Sequence, residues 1–374
     1  MGTFTGQLNS NEIMSALYNM IISQQTQANN LGGLEDGLLS MCRVDGSLYG
    51  DTKLYYDTDV LRSFPWTNDA ETSNLLQTHR PCQPKCQKIT LNVFRQIPLT
   101  VDYYLSKRAW GTEGAFQEFI TVMLGWTRGT KRVYDYTLLH TFIGTNKTSV
   151  GKQTITITLP VDTDVEKQNK LQGQAIAKAM ADLLVDLKKP SRDYTDNQNL
   201  KAIATSDLVA VWNSAALNQI EKYALPVIYH KDALIEKLGE KTLPKEYFGN
   251  VNTSGGTTTA SNTTIRSLIE KDYNPDDTPM DDPDYDPKKH IFPGDLLPNS
   301  TPYNKNETYT QDDTILFKLI DKNSVPFMSA FEVGTSFFNP KALNENHYLT
   351  WGHNTLEHRK DLPFITVKGV QAEG

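Results

Sequence analysis

This sequence predicts an α+β fold in which a projecting ribbon feeds a long surface helix. Two observations inside Gln87–Gly144 carry the prediction. Ile89, Leu91, Val93, Ile97, Leu99 and Val101 all fall on odd positions, with Arg95 the one break. Period two over that length makes an extended ribbon with one apolar and one polar face. From about Glu113 the spacing turns helical: Phe116, Phe119, Ile120, Met123 and Leu124 form one stripe, and Tyr136, Leu138, Leu139 and Phe142 continue it. Pro98 lies within the ribbon, which places it at a sheet edge or on a projecting arm. Such a ribbon is a poor wall for a pocket and a good reach over a neighbour.

Taken in order, residues 1–46 form an N-terminal arm. It holds one helix near Asn11–Ala28, capped by Ser10 or Asn11 and ended by Asn29, Asn30, Gly32 and Gly33. Residues 47–105 make a two-branched extended excursion. Leu54–Val60 goes out, Ile89–Val101 comes back, and a polar, turn-rich tip runs from Asn68 to Lys85. Phe64 and Trp66 sit near that tip, and exposed aromatics on an arm imply a covering partner. The long helix spans Glu113 to about Ile143, with a bend or break expected at Gly125 and Gly129. A half-buried strand follows, in which Ile155, Ile157 and Leu159 alternate with threonines. Next comes a helix over about Glu166–Leu187, striped by Leu171, Ile176, Met180, Leu183, Leu184 and Leu187 and stopped by Pro190.

A small mixed α/β unit begins near Asn197. Asp207–Trp212 reads as a buried strand, Ser214–Tyr223 as a helix capped by Ser214, Tyr223–Tyr229 as another strand and Asp232–Leu238 as a helix. Asn250–Thr264 is Gly-, Thr-, Ser- and Asn-rich, a flexible loop. Tyr273–Lys288 is acidic and carries four prolines, so it reads as an extended, outward-facing surface excursion. Apolar pattern returns at Ile315–Ile320, and Phe364–Val367 is a final strand.

At 374 residues the chain is long enough for two or three domains. Its net charge of −7 gives no basic surface to steer nucleic acid. The first residues lack the basic start and apolar core of a secretion signal, and no run reaches transmembrane length. No membrane association is expected. The Asn-x-Ser/Thr triplets at Asn146, Asn252, Asn262, Asn299 and Asn306 therefore mark polar loops and not glycan sites.

No constellation reads as an active site. The three cysteines are too few for a disulfide scaffold. Cys82 and Cys86 follow His79, but the spacing misses the common zinc patterns and a reduced loop is the reading taken. His347, His353 and His358 are six and five apart, which matches no helical zinc pair; they read as strand histidines at a subunit surface. The acidic stretch lacks the ligand order and central glycine of an EF-hand. Phosphate-loop, dinucleotide and nucleophile-elbow motifs are absent. No enzyme activity, metal or cofactor is expected.

The order of parts resembles the major capsid proteins of tailed phages, which share the Hong Kong 97-type fold. Asp207–Glu221, DLVAVWNSAALNQIE, is similar to the strand and helix that open the axial-domain core in capsid proteins of small short-tailed phages. Phe338, Asn339 and Pro340, with His347–Trp351, Leu356, Arg359 and Phe364–Ile365, resemble the closing peripheral-domain segment of that group. The resemblance covers nearly the whole chain as an order of elements, except for the insert 250–306. It implies an N-terminal arm at 1–46, an extended loop at 47–105, a peripheral domain from 106–195 and 341–374, and an axial domain at 196–340. It also implies that the chain returns at its end, with His347–Val367 pairing with Thr154–Leu159 and Trp351 and Phe364 covering the Leu171–Leu187 stripe.

The implied function is a head protein that self-assembles as pentamers and hexamers into an icosahedral shell around double-stranded DNA, in virions built in the bacterial cytoplasm. Partners would be further copies, a separate scaffolding protein or none, portal and head-fibre or decoration proteins, and DNA by weak contact. Lys53, Phe64, Trp66, Phe94 and Arg95 are the residues expected where copies meet. Some members cross-link a loop lysine to a neighbour's asparagine; Lys53, Lys85 and Lys88 lie near the loop here, and nothing in the sequence singles one out. Two alternatives stay open: an encapsulin-like compartment shell of the same fold, and a soluble hydrolase or glycan-binding protein with an unrecognised site.

Overall fold

The computed structural model describes residues 37–45, 52–64, 78–102, 113–148, 150–223, 239–252 and 308–372. The arm helix, residues 65–77 of the extended loop with Trp66 among them, residues 224–238 of the expected strand and helix, and the acidic insert lie outside these residues.

Two five-stranded sheets organise the chain. The first contains β1 (Arg43–Asp45), β2 (Thr52–Asp57), β3 (Lys85–Asp102), β10 (Phe327–Asn339) and β11 (Asn344–Asn354), in the order β1-β10-β11-β3-β2. The eighteen residues of β3 are shared between two partners. Its first third pairs antiparallel with β2, and Leu91 onward pairs antiparallel with β11. Ile89 and Leu91 are buried against Met328, so the odd-numbered apolar face finds its core near the root. Pro98 sits past the end of β2, opposite Tyr348 of β11 on an open edge. A residue without an N–H breaks no ladder there.

The second sheet has the order β4-β12-β9-β5-β6, from β4 (Thr154–Leu159), β12 (Phe364–Gln371), β9 (Ile315–Asp321), β5 (Leu208–Asn213) and β6 (Gly239–Leu243). Every residue of β5 and β9 is buried. That is why both read as unbroken apolar runs instead of alternating ones. Leu208, Ala210 and Trp212 of β5 pack with Ile176, Met180, Leu183, Leu184 and Leu187 of α3 (Val165–Lys188). Val209 and Val211 point the other way, into a cluster with Leu138, Leu139, Phe142 and Ile143 of the long helix α2 (Glu113–Thr145). The sheet is thus the middle layer between two helices. Asp164 caps α3, its carboxylate accepting from the Glu166 N–H at 3.0 Å. Helices α1 (Gly37–Cys42) and α4 (Ser214–Tyr223) complete the described helical set, and β7 (Gly249–Asn252) pairs with β8 (Thr308–Gln311) at the base of the insert.

The long helix runs unbroken for 33 residues, about 50 Å at 1.5 Å per residue. The break expected at Gly125 and Gly129 does not occur. Gly125 faces open space, so its cost is backbone entropy alone, and burial of the C-terminal half outweighs it. Gly144 is different: a Cβ there would meet the Tyr247 carbonyl oxygen at 2.0 Å, where the 3₁₀ turn Lys245–Tyr247 crosses the helix end. Buried hydroxyls on this helix bond back one turn, Thr141 to the Thr137 carbonyl at 2.6 Å and Thr145 to the Thr141 carbonyl at 2.7 Å.

The C-terminal return departs from expectation in two ways. Only Thr366–Gln371 pairs with β4, in parallel; His347–Asn354 belongs to the first sheet. Trp351 packs edge-on against Tyr134 of α2 (5.8 Å, 72°), and Phe364 against Phe142 of the same helix, so neither covers the α3 stripe. Ile365 and Val367 do that. The two sheets also draw strands from different expected domain ranges. β4 and β12, read as peripheral, hydrogen-bond into one sheet with β5 and β9, read as axial, while β10 leaves the axial segment for the first sheet. Strand partners far apart in sequence set sheet membership, and no local pattern records them.

Candidate interaction surface

The root of the extended loop is bolted to its own subunit. Asp57, the last residue of β2, is 7 % exposed. Its Oδ1 lies 2.8 Å from Lys201 Nζ, and its Oδ2 accepts from Asn197 Nδ2 at 2.9 Å and Asn199 Nδ2 at 2.8 Å. Burial would raise this carboxyl's pKa, but the hydrogen bonds from Lys201, Asn197 and Asn199 outweigh it and hold the group below the usual carboxylate range. Asp59 accepts from Arg192 at 2.5 Å and from the Leu200 N–H at 3.1 Å. The Arg192 hydrogen bond is the main reason its pKa falls to about 2. On the returning branch Lys85 donates to the Asn197 carbonyl, Gln87 accepts from the Lys360 N–H at 2.8 Å, and the Arg359 guanidinium lies 4.3 Å from the Tyr55 ring centre. Residues 191–201 and 357–361 therefore form a collar around the root. Sequence reasoning missed it, because its residues look like ordinary polar turns.

On both sides of the collar contacts the loop turns apolar groups to solvent. Leu54 and Tyr56 on the outer side of β2, then Val60, Leu61 and Phe64, are all exposed, Leu61 at 74 %. Phe64 packs on His79 with ring centres 4.6 Å apart. Of the five expected contact residues, Lys53 lies in β2 opposite Ile89 and is half-buried. Phe94 packs into the small cluster of Ile89, Leu91 and Met328. Arg95 donates to the Tyr134 hydroxyl at 3.3 Å, its guanidinium 5.4 Å from that ring centre. Phe94 and Arg95 thus serve their own subunit. A second exposed apolar feature is the β10–β11 hairpin, where Val333, Phe337, Phe338 and Leu343 face solvent.

Behind these surfaces lie buried polar joints. His353 is fully buried; Nδ1 lies 2.9 Å from the Asn354 carbonyl and Nε2 lies 3.1 Å from the Tyr134 hydroxyl. The neutral ring, with its proton on Nδ1, satisfies both contacts. Burial pulls its pKa down to about 4, with Arg95 and Lys131 adding to the effect. His358 bonds Asp196 at 2.8 Å and Asn146 at 3.0 Å. The surface role expected for the histidines is therefore corrected for these two: both brace the interior. Lys318 of β9 is also fully buried and donates to the Asn146 carbonyl at 2.6 Å, just past the end of α2. Burial, then Lys147 and Lys368, push its pKa well below the usual lysine value. Asp312 ties the same region together through Lys147 at 3.2 Å and Lys368 at 2.8 Å.

Cys42 is buried, its thiol pushed up to about 12 by burial, while Cys82 and Cys86 are exposed. Among the described residues no cluster of three or more His, Cys, Asp or Glu is placed to hold a metal ion, and no helix is long and apolar enough to cross a membrane.

Comparison with known proteins accounts for this arrangement. The family model described as Phi29-like phage major capsid protein matches residues 3–356. No curated protein matches the sequence. Among solved structures, the capsid of Staphylococcus phage Andhra superposes with a TM-score of 0.61 at 9% identity, covering 90% of this chain and 85% of that one. A chain from the structure of the head fiber and inner core protein gp22 of native bacteriophage P68 gives 0.59 at 9% identity, covering 88% and 83%. These likenesses establish the Hong Kong 97-type fold. An exposed loop on a bolted root, a spine helix between two sheets and a family match over most of the length lead to one assignment: the chain belongs to the Phi29-like phage major capsid protein family.

Proposed function

We propose that copies of this chain close into an icosahedral shell of pentamers and hexamers around double-stranded DNA, assembled in the bacterial cytoplasm. The observation that carries the reading is the extended loop. Its root is fixed by Asp57 and Asp59, and its outer face leaves Leu54, Tyr56, Leu61 and Phe64 uncovered. Exposed apolar groups on a held arm gain stability when a neighbouring copy covers them. Lys53, Phe64 and Trp66 belong to the proposed contact. The first sheet with α2 would be the peripheral domain, and the second sheet with α3 and α4 the axial domain. Scaffolding, portal and head-fibre or decoration proteins are the further partners proposed for this role. DNA contact is weak, in keeping with the net charge of −7.

Expression with and without the other head proteins, followed by electron microscopy, tests this reading. Shells, tubes or isolated capsomers are the expected products. A monomer at all protein and salt concentrations, with or without those proteins, would overturn it.

A further inference from the structure

The distal half of the first sheet is a three-stranded ribbon with two open edges. β1 covers β10 only at Phe327, Met328 and Ser329, and β2 covers β3 only as far as Thr90. Farther out β11 lies between them, and among the described residues no strand pairs outside either one. The edges differ. That of β3 carries Pro98, which cannot donate to an incoming strand. That of β10 has no proline or lysine from Glu332 to Asn339, and its pairing with β11 is continuous there, the one register shift lying before Glu332. Glu332 to Phe338 are exposed on both faces, with Val333 and Phe337 on one and Phe338 on the other. A long, flat edge without these protective devices pairs with another strand.

We infer that the β10 edge pairs antiparallel with the same strand of a second copy across a two-fold axis. This rests on the shell-building reading, which supplies the copies. Two features select that occupant. Head-to-tail joining of β10 to β3 is disfavoured by Pro98, so the self-complementary arrangement remains. With Ser336 opposite itself, Phe338 of each copy faces Gly334 of the other, whose Cβ position is open space.

Cysteine cross-linking tests the register. In a Cys82→Ser/Cys86→Ser background, Ser336→Cys particles are oxidised mildly and run on a non-reducing gel. Directly opposed residues in such a pair have Cα atoms about 4.5–5.5 Å apart, within disulfide reach. Most chains should run as dimers, whereas Gly334→Cys or Phe338→Cys alone should stay monomeric and the two together should link. Proline at 335 and at 336 provides the second arm. One of the two removes an N–H facing the open edge, and that variant should keep native circular dichroism while particle yield falls at least tenfold. Wild-type particles combined with no cross-link at any position from 333 to 339, or with both proline variants assembling normally, would overturn the two-fold contact. A wild-type chain that forms no particles in any partner combination would instead count against the shell-building reading.

Discussion

Lys201 places its ammonium 2.8 Å from Asp57 Oδ1, and this contact joins the extended loop to the collar of its own subunit. The loop is therefore held to its own subunit at the end of β2. Its direction is set by the subunit before any neighbour arrives.

Asp57→Ala should loosen that root. The substitution leaves Lys201, Asn197 and Asn199 without their acceptor, at a cost of about 1–3 kcal/mol. Hydrogen exchange should speed up in Thr52–Asp57 and in 191–201, with the second sheet unchanged. The sign with pH follows from the depressed carboxyl: its stabilisation is present above the unfolded value of about 4 and is lost as pH falls through the lower folded value. Uniform protection in the variant would show that Lys201 does not anchor the loop.

Two glycines of α2 should respond in opposite directions. Gly125→Ala meets open space and removes backbone entropy from the unfolded chain, so it should stabilise by up to about 1 kcal/mol. Gly144→Ala drives a methyl into the Tyr247 carbonyl and should destabilise by about 2 kcal/mol or more. Thermal melting of both variants side by side checks the pair. Equal shifts would mean the helix end and the Lys245–Tyr247 turn are not in contact.

His353 makes the joint between β11 and α2 sensitive to acid. Its folded pKa is near 4, below the ordinary value of about 6.5, so the unfolded chain binds the proton first. Stability from this group is complete above about pH 6.5 and falls as pH drops toward 4, by roughly 3 kcal/mol in all. Denaturant melts of wild type and His353→Gln at pH 7 and pH 4.5 should show a smaller acid loss in the variant, and parallel losses would contradict the assignment.

Lys318 should be replaceable by Met. Its ammonium is desolvated in the core, and its pKa is depressed by burial and by Lys147 and Lys368. A native state that binds the proton less well than the unfolded chain gains stability as pH rises toward the unfolded value. At pH 7, Lys318→Met should therefore match or exceed wild-type melting temperature, and its advantage should shrink toward pH 10. Lys318→Ala, which leaves a cavity, should lose about 2–4 kcal/mol relative to the Met variant. A Met variant that melts well below wild type would mean that the bond to the Asn146 carbonyl outweighs the burial cost.

The regular elements were legible because their period is local. The α3 stripe, its stop before Pro190, and the apolar runs of β5 and β9 depend on residues within a few positions of each other. The ribbon's odd-numbered apolar face was legible for the same reason. The collar was not, since Asp57 meets Lys201 144 positions away through residues of no periodic pattern. Nor was Lys318, a cation in the middle of ILFKLID, whose partner is the end of a helix 172 positions earlier. Sheet membership was hidden for the same reason: the tail looked like one returning strand and is two, in different sheets.

That division makes the tail indispensable to folding. Truncation after Ala342 would remove β11 from between β10 and β3, and β12 from between β4 and β9. Each sheet would lose an interior strand, exposing the ladders of both neighbours. Trp351 and Phe364, each at most 3 % exposed, would leave Tyr134 and Phe142 of the spine helix uncovered. Losing one buried aromatic costs about 3–5 kcal/mol, a large part of the 5–15 kcal/mol that holds a typical domain. The truncated chain should be insoluble or lack cooperative unfolding. A shorter cut, after Leu362, separates the sheets: it spares β11 and removes β12, so protection should fall in β4, β9 and α3 before it falls in β3 and β10. Soluble truncated protein with native circular dichroism and a cooperative melt would show that the tail is an appendage and that the two sheets close without it.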